Sequence, residues 1–433
     1  MNGDFTRLTH DPEKHYSAVL LQQGRVQLDA DFNEQGTIQR ELLRELASDL
    51  IGPHGGPERN LGFGTEPQAA GTWDFPIAPG RYWVGGLLCR NEKPARYTDQ
   101  PGFLLRQQDP KLKPGSYLVY LDVFERAVNG IEDADILERA LQGLDTSVRA
   151  CLTWIVRATP FAVEGGQDPA VAAAAKLAEL AVRDYVLEVQ LQPVEDDPDP
   201  CHTSPESRYR GFENHLYRVE VHYGSAQEGG PTLKWSRENG SVVFAIESLE
   251  GATATLRELG RDPRSDLTVG DWVEILDDDV RRLGFAQPLA RVTAIDRNAR
   301  QITFETAPQG GFGQDPAKHP FLRRWDQRQR RSDPDPLTGG TIKLPAAPGW
   351  ITLEDGIQVR LTSTGQQPSE IRSGDHWLIP ARVTGELEFP GAPRPPHGVD
   401  RWYAPLALVT FGADGSATLD KDLRRRFTAL AQP

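Results

Sequence analysis

Cysteine is scarce in this 433-residue chain. Cys89, Cys151 and Cys201 are odd in number and far apart, which excludes a disulfide framework and gives no paired ligands for a structural zinc. No stretch of eighteen apolar residues occurs, so no membrane-spanning helix is expected. The opening Met1-Asn2-Gly3-Asp4-Phe5-Thr6-Arg7 lacks the basic start and apolar run of a signal peptide, which makes the cytoplasm the expected location. Lysine is rare: nine of the 48 basic residues, the rest being arginine. The net charge is −14, and a duplex binder needs cationic surface to displace counterions, so nucleic acid is not an expected partner.

Catalytic signatures are missing too. There is no Gly-x-Ser-x-Gly elbow, no P-loop and no dinucleotide fingerprint. Cys201-His202 with His215 and His222 offers one cysteine where a structural site wants paired ligands. Asp29-x-Asp31-x-Asn33 begins like a calcium loop, but Glu34 stands where the turn needs glycine and Arg40 where the bidentate glutamate belongs. These acids suit a helix start instead. No cofactor, no metal and no enzymatic activity are expected.

What is abundant is turn chemistry between short apolar runs: 41 Gly and 34 Pro, without a period. The pattern predicts an α+β architecture, mainly antiparallel β, with several small barrel- or sandwich-like domains and an N-terminal amphipathic helix. Residues 13–28 suggest a strand or hairpin arm. From Asp31 to Leu50 the period becomes helical, with Phe32, Ile38, Leu42 and Leu46 on a stripe and Gly52-Pro53 as the stop. Tyr117 to Phe124 is apolar on both faces, as a central strand is, and 148–156 alternates. A helix is expected at about 133–142, and a second one where Asp168 caps and Pro169 opens an Ala-rich run. Leu216 to Tyr223 alternates apolar and polar. Asn239-Gly240 between Leu233–Ser236 and Val242–Ile246 is a strong hairpin signal. Segments 266–275, 289–295 and 302–305 suggest a small barrel. The expected domains are 1–60 (arm and docking helix), 61–200, 201–315 and 316–433, with Glu195-Asp196-Asp197-Pro198-Asp199-Pro200 as a linker.

Two further features invite a functional reading. Arg323, Arg324, Arg328, Arg330 and Arg331 form a basic run around Trp325, expected as an exposed loop that either contacts an acidic partner or is simply solvated. Arg424-Arg425-Arg426-Phe427 reads as the last turn of a terminal helix. The aromatics Trp73, Tyr82, Trp83, Trp235, Trp272, Trp377 and Trp402 allow a polysaccharide-binding or polysaccharide-cleaving alternative, if they are exposed rather than core.

A resemblance carries the argument further. Gly3-Asp4-Phe5-Thr6-Arg7, Asp11-Pro12-Glu13-Lys14-His15-Tyr16-Ser17 and Leu21-Gln22-Gln23-Gly24-Arg25-Val26-Gln27-Leu28-Asp29-Ala30-Asp31-Phe32-Asn33-Glu34 together resemble the opening of an uncharacterised bacterial family associated with phage-tail-like contractile injection systems. Lys234-Trp235-Ser236-Arg237-Glu238-Asn239-Gly240-Ser241, Gly270-Asp271-Trp272-Val273-Glu274 and Gly374-Asp375-His376-Trp377-Leu378-Ile379 are similar to later stretches of that family. The resemblance implies a structural part at the baseplate or tail periphery. Its implied partners are other subunits (baseplate, spike or tube-proximal proteins) and further copies of itself, in a homo-oligomer. It transfers no catalytic residue. Phe32, Ile38, Leu42 and Leu46 are the expected docking face, unless the stripe packs on the chain's own β domain, a choice the periodicity leaves open.

Overall fold

A computed structural model describes residues 1–100, 112–192, 208–227, 229–260, 262, 264–283, 286–329, 337–345, 347–365, 370–389 and 392–428. The linker expected at 195–200 and the Cys201-His202 pair lie outside these residues. Helix α1 (Asp29–Ile51) is followed by strands β1 (His54–Pro57), β2 (Gly80–Val84), β3 (Leu87–Asn91), β4 (Gly115–Val128) and β5 (Arg149–Pro160). After α2 (Pro169–Ala181) come β6 (Tyr185–Leu191), β7 (His215–Val221), β8 (Thr232–Ser236), β9 (Val243–Glu250), β10 (Thr253–Leu256) and β11 (Trp272–Leu276). Next are β12 (Ala290–Asp296), β13 (Gln301–Phe304), β14 (Phe321–Trp325), β15 (Ile342–Lys343), β16 (Ile357–Ser363) and β17 (His376–Ala381). The chain continues through β18 (Arg401–Phe411), β19 (Ala417–Asp422) and β20 (Arg426–Phe427). The sheets are mostly antiparallel, as the α+β expectation has it.

The chain folds as two compact units, neither of them contiguous in sequence: residues 1–8, 127–150 and 183–399 form one, and 9–126, 151–182 and 400–433 the other. The second unit holds the sheets β19-β18-β4-β5 and β20-β1-β2-β3. Strand β4 is paired on both sides, and Val119, Leu121 and Val123 are fully buried in its core, as a central strand requires. Its other face packs Leu118 and Tyr120 against Ala173 and Leu177 of α2. That helix starts as its sequence indicates: Asp168 Oδ1 accepts from Ala170 N at 2.8 Å, with Pro169 in the first position. Helix α1 ends at Gly52. Its neighbour Gly86, at φ +73°, has room for no Cβ because the Arg44 backbone passes against it.

The first unit pairs the sheet β15-β8-β7-β17 with a closed barrel of order β9-β10-β13-β12-β11-β14, so the barrel expected from 266–305 is present. Phe244, Ile246, Val273, Ile275 and Leu322 fill the barrel. One face of the sheet carries Tyr217, Val219, Val221, Trp235, Trp377 and Ile379 into a core shared with β6 and β16.

Several expectations are corrected. Asn239 and Gly240 do adopt left-handed angles (φ +50° and +63°), yet the flanking strands do not form a hairpin. Strand β8 pairs with β7 and β15, while β9 pairs with β10 and β14, so the turn carries the chain from sheet to barrel. Residues 16–28 form no strand; Leu20, Leu21 and Val26 give the pattern but find no partner, and stay exposed. Residues 133–142 are two short 3-10 turns, closed by Gln142 at φ +62°. Arg426-Phe427 pairs with β1 as a parallel strand rather than ending a helix.

Candidate functional site

The polar face of β7 is not a solvated face. Register sets Lys234 and His376 on either side of Glu220, one row across three strands, and Ser236 beside Arg218 in the next. On the barrel wall β11 and β14 place Glu274 opposite Arg323. The two rows meet. Lys234, 2% exposed, sets its Nζ 2.8 Å from Glu274 Oε2 and 3.2 Å from Glu220 Oε1, and stands 4.2 Å over the Trp325 ring. Trp325 Nε1 donates to the same Glu274 oxygen at 3.0 Å. Arg218 Nε reaches Glu220 at 2.5 Å.

Burial alone would raise the Glu220 carboxyl, but Arg218 and then Lys234 outweigh it and hold it at about 2. His222 and His376 are pushed well below the usual imidazole range, first by burial and then by Lys234 and Arg218 respectively. The layer therefore brings together Glu220, Glu274, Arg218, Lys234, Arg323, His222 and His376, all buried.

The segment Lys234–Ser241 is woven into this frame. Ser236 Oγ accepts from Glu238 N and Gly240 N at 3.3 and 3.1 Å. Arg237 bonds Asp326 and Glu354, the latter also bound by the Tyr217 hydroxyl. Glu238 receives a bidentate fork from Arg264 and lies 3.0 Å from His215. Asn239 Nδ2 donates to the Met1 and Gly3 carbonyls, both at 2.9 Å, and so anchors the start of the chain. These residues hold sheet, barrel and N-terminus together.

Among the described residues no group of three or more His, Cys, Asp or Glu is placed to hold a metal ion. Asp31 in the calcium-like segment accepts from Leu28 N and serves the helix start. A cavity of about 160 Å³, lined by Tyr185, Pro231, Leu344, Leu361 and Ile371, is smaller than the usual ligand pocket. Trp235, Trp325 and Trp377 are buried and the other six tryptophans are half-buried.

The basic run separates. Arg323 and Arg324 belong to strand β14 and are buried, contrary to the loop expectation, because the barrel needs the apolar Leu322 inside and the arginines form its sheet-facing and loop-facing contacts. Arg328 is exposed and binds Asp271 and Thr268. Arg330 and Arg331 lie outside the described residues.

The docking stripe also divides, in a way the periodicity does not show. Ile38 is buried, at 7% exposure, whereas Phe32, Leu42 and Leu46 are 71%, 65% and 54% exposed. At about 100° per residue, Phe32, Gln35, Gln39, Leu42, Leu43, Leu46 and Leu50 share an arc about 100° wide with no charged side chain in it. The diametrically opposite face faces its own unit, and it is polar. There Thr9 bonds Glu34, His10 Nε2 meets Glu41 Oε2 at 2.6 Å, and Arg44 Nη2 donates to Glu125 Oε2 at 2.6 Å while stacking over Trp402. Helix α1 thus turns a polar face inward and leaves an apolar face exposed. The preceding arm adds Tyr16, Leu20, Leu21 and Val26 to the exposed apolar surface, and Val19 N donates to Gln35 Oε1 at 2.7 Å, tying that arm to the helix.

No curated protein and no solved structure matches the chain. The model of one family matches residues 1–186 and again 166–394, together most of the sequence, and the chain therefore belongs to DUF6519, a family of unknown function.

Proposed function

We propose that the protein is a structural component of a phage-tail-like contractile injection system, placed at the baseplate or tail periphery and acting through protein–protein assembly. One observation carries the assembly part: α1 spends its charged face on its own unit and leaves its leucine face outside. A surface helix on a finished monomer has the opposite arrangement, and contiguous exposed apolar surface marks an interaction site. The class of particle rests on the resemblance of the opening block, residues 3–34. The buried charge layer supports the same reading, since the most distinctive sequence stretch is consumed in architecture rather than chemistry. Assembly takes place in the cytoplasm.

The test is mass spectrometry of particles sedimented from a lysate of the source organism, with and without the gene. The protein is expected in fixed ratio to sheath and tube proteins, and a folded Leu42→Asp/Leu46→Asp variant is expected to be missing from the pellet. Complete particles without the protein, with the wild-type chain left in the supernatant, overturn the proposal.

A further inference from the structure

We infer that the seam between sheet and barrel is a binding site for one small inorganic anion, a halide, held by the guanidinium of Arg323. The site lies within a single compact unit, so it stands or falls independently of the assembly proposal.

Strand β14 alternates, sending Leu322 into the barrel and Arg323 to its outer face, opposite Glu274 of β11 and Val243 of β9. Arg323 is 8% exposed. Its Nε is buried without a partner, and none of its N–H groups donates to an acceptor among the described residues. The Phe321 ring, 5.6 Å away, offers a π face but no lone pair. Buried donors are normally satisfied, and a guanidinium has five of them.

The nearby carboxylates are already engaged. Glu220 Oε2 accepts from Arg218 at 2.5 Å and Glu220 Oε1 faces Lys234 at 3.2 Å, while Glu274 Oε2 takes Lys234 and the Trp325 indole. By side-chain type, three basic groups (Arg218, Lys234 and Arg323) face two acids, an excess of one cation in a buried layer. Burial is the largest influence on Arg323 and opposes its charge; Glu274 and Glu220 offset part of it, and Arg218 adds repulsion. Arginine does not give up its proton in a protein, so a counterion is what balances the layer.

The donors select the class of anion. Phosphate, sulfate or a carboxylate ligand brings several oxygens that each need a partner, and the unused donors here belong to one side chain. A halide is a single sphere that accepts from a guanidinium without fixed direction. A water molecule in the same place satisfies hydrogen bonds but leaves the charge.

The experiment is urea unfolding of the purified full-length chain at neutral pH and fixed ionic strength, with sodium gluconate replaced stepwise by sodium chloride. Once the site begins to saturate, the folded-to-unfolded ratio should rise about tenfold for each tenfold rise in chloride, and bromide should act like chloride. Arg323→Met keeps the length and removes the charge, so its urea midpoint should not depend on the anion. A wild type indifferent to chloride overturns the inference and leaves water as the partner. An equal chloride effect in Arg323→Met also overturns it, because the ion then binds elsewhere. If that variant does not fold, crystals of the wild type grown in bromide decide. An anomalous peak against the Arg323 guanidinium supports the site, and none there removes it.

Discussion

Lys234 Nζ lies 2.8 Å from Glu274 Oε2, an ion pair that ties the sheet strand β8 to the barrel strand β11. Both residues are buried, and the Trp325 indole closes over the ammonium while donating to the carboxylate. Such a pair contributes little compared with a well-packed apolar replacement, but removing one partner strands the other. Lys234→Met is therefore expected to cost about 3–5 kcal/mol, because both Glu220 and Glu274 lose their ammonium. Lys234→Met/Glu274→Leu should recover part of that loss. Urea unfolding of the four proteins closes the cycle, and additive single effects refute the coupling.

The Asn239 amide holds the first residues of the chain through two donated bonds. Asn239→Asp keeps the size, removes both donors and brings a carboxylate up to two carbonyl oxygens. The expected cost is about 1–3 kcal/mol, with faster amide exchange in residues 1–8. Gly240→Ala acts at the same corner by another route, since the residue has φ +63° and an added Cβ lies 2.6 Å from Asn2 Nδ2. Unchanged exchange at the N-terminus in both variants rejects the anchor.

That corner also shows where sequence reasoning stops. The backbone chemistry of Asn239-Gly240 is legible: two residues with left-handed angles, where those two types are favoured. Which strands the turn joins is not, because a tight turn fixes a change of direction and leaves partner choice to distant residues. The polar face of β7 fails for a related reason. Arg218, Glu220 and His222 alternate with apolar residues as a half-exposed strand does, and only the barrel, encoded far downstream, makes that face interior. By contrast α2 and β4 declare themselves through a local cap and a continuous apolar run. The stripe of α1 was legible as a stripe. Its inversion was not, since that depends on Glu125, Trp402 and the 9–10 segment reaching the charged side.

Buried neutral imidazoles make stability depend on pH. His54 is held at about 4 by burial and then by Arg425, and His222 and His376 also lie well below the ordinary value of 6.5. The unfolded chain takes up these protons near 6.5 and the folded chain only well below that, at about 4 for His54. Between those limits the unfolded state binds more protons, so stability rises with pH, is complete above 6.5, and is lost as pH falls through the window. Glu220, held at about 2, adds a separate loss below the ordinary glutamate range of 4.5. Urea midpoints are expected to drop steadily from neutral pH towards 5, and less steeply in His376→Gln. Equal slopes in the two proteins count against this assignment.

The two sides of α1 make opposite predictions for the same chemical change. Ile38 is buried, so Ile38→Asp takes a carboxylate out of water and should cost about 3 kcal/mol or more. Leu42 lies one turn further along and is exposed, so Leu42→Asp is expected to leave stability within about 0.5 kcal/mol. If the leucine face is covered when the chain is working, the second change acts only on association. Thermal melting separates the two variants when the protein is dilute, and sedimentation separates Leu42→Asp from wild type when it is concentrated. An equally large melting loss for Leu42→Asp in dilute solution means that the leucine face is already packed within the chain, and then nothing is left exposed for a partner to cover.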